Sequence, residues 1–335
     1  MINFLDLELN ELKEYLPNFR SGQVFSWISK GISSFDEMSN IPKDLREELA
    51  LKFQIELPKT VLMQESKLDG TKKFLFELSD GMKIESVFMK YKFGNSICVS
   101  SQAGCRMGCK FCASTINGLE RNMTAGEIYG EVLKVQKETG EKINHIVIMG
   151  TGEPFDNYDN VAKFIRIVND KNGLNIGMRN ITVSTCGIVP MIDRFGDEFS
   201  QVNLAISLHQ VSNEERSKLM PINKKYPIDE LLNACKRYVE KTNRRVTFEY
   251  TLVKDTNDRR EDALKLASLL HGMLCHVNLI PLNAVAETGL KTTEKDKAVA
   301  FQKVLESKGI PTTIRRELGD DIDAACGQLR LNKTH

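Results

Sequence analysis

The sequence predicts an α/β protein built on a partial (β/α)6 barrel, preceded by a small N-terminal helical domain and a β-hairpin extension. Short apolar runs alternate with amphipathic helical stretches through most of the chain, the pattern of a parallel sheet covered by helices. The N-terminal stretch has helical periodicity alone, and residues 60–90 change to a period of two. The 335 residues thus divide into a helical accessory domain (1–58), a small antiparallel β extension (59–90), the barrel core (91–319) and a C-terminal tail (320–335).

In the first segment Leu5, Leu9, Leu12 and Leu16 fall on one helical stripe, which Pro17 breaks. Val24, Trp27 and Ile28 follow at helical spacing, and Pro42 opens a stretch with Leu45, Leu49 and Phe53. Trp27, the only tryptophan, is expected to anchor the core of this domain. In the second segment Lys73-Phe-Leu-Phe-Glu-Leu-Ser79 and Met82-Lys-Ile-Glu-Ser-Val-Phe-Met89 alternate, and Asp80-Gly81 between them reads as a type I′ hairpin turn. Glu85 in the second of these strands is expected, on its own, to face solvent.

The barrel strands are predicted at Ile97 to Val99, Ile143 to Met149, Ile181 to Ser184, Val202 to Leu208, Val246 to Leu252 and Val277 to Leu282, with a seventh run at Thr312 to Arg315. Thr124-Ala-Gly-Glu127 is a capping box opening a helix to about Glu138, and further helices read at Asp229 to Lys241, Arg259 to His271 and Glu294 to Lys308. Six strand-helix units fall two short of a closed (β/α)8 barrel, so the barrel is expected to be partial.

Lys and Arg number 46 against 45 Asp and Glu, a net charge of +1, which excludes a strong global footprint for nucleic acid. RNA contact would have to come from local patches. The pairs Lys224-Lys225, Arg244-Arg245, Arg259-Arg260 and Arg315-Arg316 read, alone, as solvated surface. Eight cysteines without signal-peptide architecture fit a reducing cytosol, so a cytoplasmic protein is expected. No stretch approaches the ~18 apolar residues of a membrane span, and no membrane partner is expected.

The chemistry centres on Gly104-Cys-Arg-Met-Gly-Cys-Lys-Phe-Cys-Ala-Ser114, where Cys105, Cys109 and Cys112 lie three and then two residues apart. A closed zinc site or a ferredoxin-type cluster takes four ligands, so three thiols on one tight loop suggest an iron site left open. Two other readings stay open on these residues: small buried hydrophobes, and a zinc knuckle completed by His145 or His209. The spacing Cys-x3-Cys-x2-Cys resembles the signature of radical S-adenosylmethionine (SAM) enzymes. That resemblance implies a 4Fe-4S cluster on the three thiolates, with SAM chelating the fourth iron.

Ligands of such sheets sit beyond the strand C-terminal ends. There the second barrel strand ends in Met149-Gly-Thr-Gly-Glu-Pro154, where Gly152 permits close backbone approach and Glu153 can grip a cation. Ser184 ends the third strand, Ser207-Leu208-His209 the fourth, and Asn283 the sixth. Each alone reads as a loop cap; their recurrence on one rim supports a SAM pocket.

Ser100-Ser-Gln-Ala-Gly-Cys105, the Met149 to Pro154 turn, Ser207-Leu-His209, Met220-Pro-Ile-Asn-Lys-Lys225, Gly319-Asp-Asp-Ile-Asp-Ala-Ala-Cys-Gly-Gln-Leu329 and Asn40-Ile-Pro-Lys-Asp-Leu45 together resemble the radical SAM RNA adenine methyltransferases, the RlmN/Cfr family. The resemblance implies methylation of carbon 2 of adenosine 2503 in 23S rRNA and adenosine 37 in tRNAs, using two SAM per turnover. Its sister group methylates carbon 8, and Thr151 and Pro154 favour carbon 2. Cys326 is implied to take a methyl group from one SAM, and a 5′-deoxyadenosyl radical from the second to remove hydrogen from it, so that the methylene adds to the base. Cys98 is implied to be the resolving thiol, leaving a Cys98-Cys326 disulfide, and Glu85 the proton acceptor. Cys186, Cys235 and Cys275 match no such role and are expected in the core.

The implied partners are 23S rRNA and tRNA and an external one-electron reductant of flavodoxin or ferredoxin type, with the enzyme acting as a monomer. An electron-transfer iron-sulfur protein would differ in showing no spectral response to SAM. A zinc-dependent RNA-binding module would purify colourless.

Overall fold

The period-two segments and the apolar runs join in one mixed sheet. The computed structural model describes residues 1–283, 289–316, 318–325 and 327–329. The sheet's ten strands are β1 (Lys59–Glu65), β2 (Lys72–Glu77), β3 (Lys83–Tyr91), β4 (Gly94–Val99), β5 (His145–Ile148), β6 (Ile181–Thr185), β7 (Asn203–Ser207), β8 (Val246–Leu252), β9 (Cys275–Pro281) and β10 (Thr312–Ile314). They lie side by side in chain order. β1 to β4 are antiparallel, and β4 to β10 are parallel. Among the described residues β10 pairs only with β9, so the barrel stays open on one side, as its six crossovers require.

Helices Ala125–Thr139, Tyr158–Asn169, Val189–Glu198, Ile228–Thr242, Arg260–Leu270 and Lys295–Ser307 carry the chain back between successive parallel strands. The Thr124 capping box forms, with Glu127 N–H donating to the Thr124 hydroxyl. The strand pleat sorts the side chains. In β6, Ile181, Val183 and Thr185 are buried, whereas Thr182 and Ser184 are only half-buried. The outward set packs on apolar helix residues such as Phe164 and Ile165, and each large aliphatic side chain so buried contributes roughly 1.5–3 kcal/mol. The inward, more polar set is left to line the barrel.

Four features differ from the sequence reading. The antiparallel strands do not form a sheet of their own: β3 pairs with β4, with Val87 opposite Cys98. Their hairpin is not a two-residue type I′ turn. Leu78 N–H donates to Met82 O at 2.8 Å across a three-residue loop, and φ is positive at Gly81 (+83°) but not at Asp80. A three-residue loop needs only one left-handed residue, which glycine supplies. Leu5 lies in a 3-10 turn, Phe4–Asp6, and Phe53 begins a two-residue strand that pairs with Ile2–Asn3. Trp27 is half-buried: it packs against the core with one edge while Lys30 Nζ sits 3.7 Å above its ring. Among the described residues no helix is long and apolar enough to cross a membrane.

Candidate active site

The cysteine loop leaves β4 through a short ribbon, Gln102–Gly104 paired with Leu119–Asn122. Gly104 takes φ +76° and lies so close to the opposite strand that a Cβ would stand 2.0 Å from Gly118 O. That carbonyl accepts the Cys105 N–H at 2.9 Å. Lys110 N–H donates to Leu219 O, and Gly108 abuts Pro221, so the Met220 to Asn223 turn backs the loop. Cys105 and Cys109 are buried, Cys112 half-buried, and all three line one open cavity of about 920 Å³. Burial pushes the Cys105 thiol up to about 12 and the Cys109 thiol well above its ordinary value. Bare, these thiols keep their protons; bound metal is what would hold them as thiolates.

The opposite wall is the rim of the parallel strands. Gly152, Glu153, Ser184, Ser207, His209 and Asn283 all border the same cavity. Gly152, at φ +110°, lies so close to Gln102 and Ser101 that a Cβ on it would stand 2.7–2.8 Å from them. The two Glu153 carboxylate oxygens accept backbone N–H groups of Phe155 (3.0 Å) and Cys186 (2.7 Å). Burial nonetheless raises the Glu153 carboxyl above its ordinary range. His209, in a left-handed conformation (φ +56°), accepts the Thr251 N–H on Nδ1 at 2.9 Å and meets the Phe111 ring edge-on. Burial lowers it to about 3, so it is neutral. His145 is the first residue of β5, at the strand end away from this rim. The Leu208 side chain is fully buried in the core and does not border the cavity.

Several site residues gave little sign of themselves in the sequence. Arg216 is fully buried, donating to the carbonyls of Leu208 (3.0 Å), Cys186 (2.8 Å) and Ser207 (2.9 Å) and to Asn223 Oδ1 (3.1 Å). It staples two strand ends to the turn behind the cysteine loop, and burial lowers it to about 10. Nothing in Asn213-Glu-Glu-Arg216 signals this role. Gln102 joins the cysteine ribbon to the glycine-rich turn by accepting Glu153 N–H (2.8 Å) and donating to Asn122 and Asp156. Glu249 borders the cavity and accepts from Asn278 at 2.8 Å. A lone carboxylate in an apolar parallel strand was the signal that could have found it. Cys186 is buried, as expected, in a cluster with Cys109, Leu219 and Met220 and also borders the cavity, whereas Cys235 and Cys275 lie in the main core.

A second cavity, open to solvent, shares Met149, Ile280, Asn283 and Arg315 with the first. Cys98 lines it and packs with Val87, Met89, Ala324 and Leu329. Cys326 lies outside the described residues; of its neighbours, Ala325 borders the second cavity and Gly327 the first. The tail is tied to the cysteine loop, with Ala113 N–H donating to Gly327 O and the Ser114 hydroxyl to Leu329 O, both at 2.8 Å. Glu85 is buried rather than solvent-facing, with Lys73 Nζ 3.6 Å from its carboxylate. The same Lys73 donates to Asp323 O at 3.2 Å.

Residues 99–267 match the radical SAM superfamily model, and residues 2–55 match the ribosomal RNA large subunit methyltransferase N-terminal domain. The chain is 55% identical over 335 residues to a probable dual-specificity RNA methyltransferase RlmN of Clostridium botulinum, covering 98% of this chain and 96% of that protein. It is likewise 55% identical to a protein of the same name from Geobacillus thermodenitrificans, covering 98% and 92%. A crystal structure of a radical SAM methyltransferase from Sphaerobacter thermophilus superposes with a TM-score of 0.94 at 44% identity, over 98% of this chain and 99% of that one. With this much identity over nearly its whole length, the chain belongs to the dual-specificity RNA methyltransferase RlmN family of the radical SAM superfamily.

Proposed function

We propose that this chain methylates carbon 2 of adenosine 2503 in 23S rRNA and of adenosine 37 in tRNAs. The observation that carries the reading is the joining of two cavities, one bordered by three thiols and the glycine-rich rim, the other by Cys98, with the neighbours of residue 326 on both. Membership of the RlmN group favours carbon 2 over the carbon 8 alternative.

Cys105, Cys109 and Cys112 would hold one 4Fe-4S cluster. Among the described residues no three His, Cys, Asp or Glu side chains converge on a single-ion site. Three thiols on one open cavity leave room for a multi-iron cluster, and His145, at the far end of its strand, does not border them to complete a zinc knuckle. Glu153 would take the SAM amino group, whose positive charge would restore the buried carboxyl to its ionised form. Gly152, Ser184, Ser207, His209 and Asn283 would shape the rest of the pocket, with Leu208 contributing backbone only. When bound, the cluster and SAM supply a hydrogen-abstracting radical, using an electron from a carrier of flavodoxin or ferredoxin type.

The protein's own residues do the rest. Cys326 would carry the methyl group and, after loss of one hydrogen atom, join it to adenine carbon 2. Glu85, oriented by Lys73, would take the carbon 2 proton, and the unpaired electron of the adduct would return to the electron carrier, leaving a closed-shell thioether between Cys326 and the base. The Cys98 thiolate would then attack the Cys326 sulfur. The new S–S bond forms as the carbon-sulfur bond breaks, and the electron pair left on carbon takes up a proton to complete the methyl group.

The test is nucleoside mass spectrometry of 23S rRNA and tRNA transcripts after anaerobic incubation with cluster-loaded enzyme, SAM and a reductant. 2-Methyladenosine at both positions is expected. Only 8-methyladenosine, or no methylated base, would overturn the reading.

A further inference from the structure

The hairpin between β3 and β4 ends in Lys90-Tyr-Lys-Phe-Gly94 and carries an aromatic pair whose inner ring, Tyr91, packs on the cluster around Cys98 and whose outer ring, Phe93, lies beyond it. Phe93 is 68% exposed. Its ring lies on that of Tyr91 with centroids 4.8 Å apart and planes 11° from parallel. His145 meets Phe93 edge-on at 5.2 Å, which fixes the ring from the side. Tyr91 in turn lines the second cavity together with Cys98 and Ala325. The stack therefore runs from the cavity wall to the surface.

An exposed ring gains nothing from water. One ring is too small for a protein interface, which needs roughly 800 Å² on each partner. It is the right size for one nucleobase, whose face stacks on an aromatic ring whatever its identity. Lys92, exposed beside it, adds a cation of the kind that meets phosphate. Along β3, Tyr91 stands four residues from Val87, the partner of Cys98, or roughly 13 Å at the usual strand rise.

We propose that the outer face of Phe93 receives a nucleobase of the RNA substrate within a few nucleotides of the target adenosine. An adenine drawn into the Cys98 cavity leaves its neighbours without a stacking partner, and the Phe93-Tyr91 step offers one where the wall of that cavity reaches the surface beside His145, at the strand ends away from the glycine-rich rim. This rests on the RNA reading given above.

The test uses full-length, cluster-loaded enzyme and tRNA transcripts carrying 2-aminopurine at each position flanking the target in turn. Wild type is expected to quench one flanking position on binding. Phe93→Ala and Phe93→Leu should lose that quenching and raise KM for RNA about 10-fold, with Phe93→Trp restoring both. Iron content and RNA-independent methylation of the protein should match wild type in all three, since the substitution is exposed. Phe93→Leu behaving as wild type would overturn the platform, because leucine keeps apolar cover without a ring. A raised KM with no flanking position quenched would also overturn it, pointing to a protein or structural role for the tip. Quenching without any 2-methyladenosine would sink the methylation reading and leave the platform standing.

Discussion

Replacing Gly104 by alanine probes how far the cysteine loop depends on one close backbone approach. The added Cβ would stand 2.0 Å from Gly118 O and 3.1 Å from its carbon, where real Cβ contacts essentially never fall below 3.0 Å. The ribbon strand must withdraw by about an ångström, and the Cys105 N–H bond to that same carbonyl, 2.9 Å long, breaks. A left-handed alanine costs roughly 1–2 kcal/mol, and an orphaned buried N–H about 1–3 kcal/mol. Together they come to about 2–5 kcal/mol, a shift of at least tenfold against the loop geometry that holds three thiols together. Gly118→Ala is the control. Its φ is also positive (+73°), but nothing lies within 4 Å of its Cβ, so only the roughly 1–2 kcal/mol conformational cost applies. Iron and sulfide per protein and the visible absorbance after anaerobic reconstitution, read beside thermal unfolding, separate the two. Gly118→Ala should reconstitute as wild type with a small loss of Tm, and Gly104→Ala should lose most of its iron. Full iron and an unshifted Tm in Gly104→Ala would refute the reasoning.

The two cysteines proposed for turnover should stop the reaction at different points. Cys326→Ala should keep its cluster, carry no methyl group and form no RNA adduct, whereas Cys98→Ala should accumulate a protein-RNA crosslink stable in denaturing gels; normal turnover by Cys98→Ala, or equal loss of folding in both, would reject the roles. Glu131, fully buried on the helix behind β4, accepts from Ser100 N–H at 3.1 Å and from the Ser86 hydroxyl, and burial holds its carboxyl well above the ordinary 4.5. The folded state thus prefers the protonated acid, so its contribution to stability is full below about 4.5 and is lost as pH rises toward the folded value. Glu131→Gln should flatten that dependence, gaining on wild type in urea midpoint as pH is raised from 5 to 8; parallel curves would show that Glu131 is not protonated in the fold.

What could be read from the chain alone was local. The parallel strands announce themselves because a strand buried on both faces must be an apolar run, and β8 was read at its observed bounds, Val246–Leu252. The Cys105, Cys109 and Cys112 loop, the Gly152-Glu153 turn and the Ser184, Ser207, His209 and Asn283 rim were legible for a similar reason. Tight turns and strand ends restrict which residues fit, and loops at the C-terminal ends of parallel strands share one side of a sheet.

Tertiary structure decided whatever depends on which distant segment comes to lie alongside. Glu85 looked like a surface carboxylate until β4 and Lys73 covered it, and no local pattern states that Val87 lies opposite Cys98. Asp80-Gly81 is compatible with two loop lengths, and the register of β2 on β3 selected the longer. Arg216 satisfies its guanidinium on three backbone carbonyls and an asparagine; carbonyls are present at every residue, so they leave no trace in composition or spacing. Leu208, expected to line the site, lies in the core, because a side chain's neighbour along the chain does not determine which way the backbone turns it. Spacing can name the residues that bind, but burial and pairing are properties of contacts, and those exist only once the chain has folded back on itself.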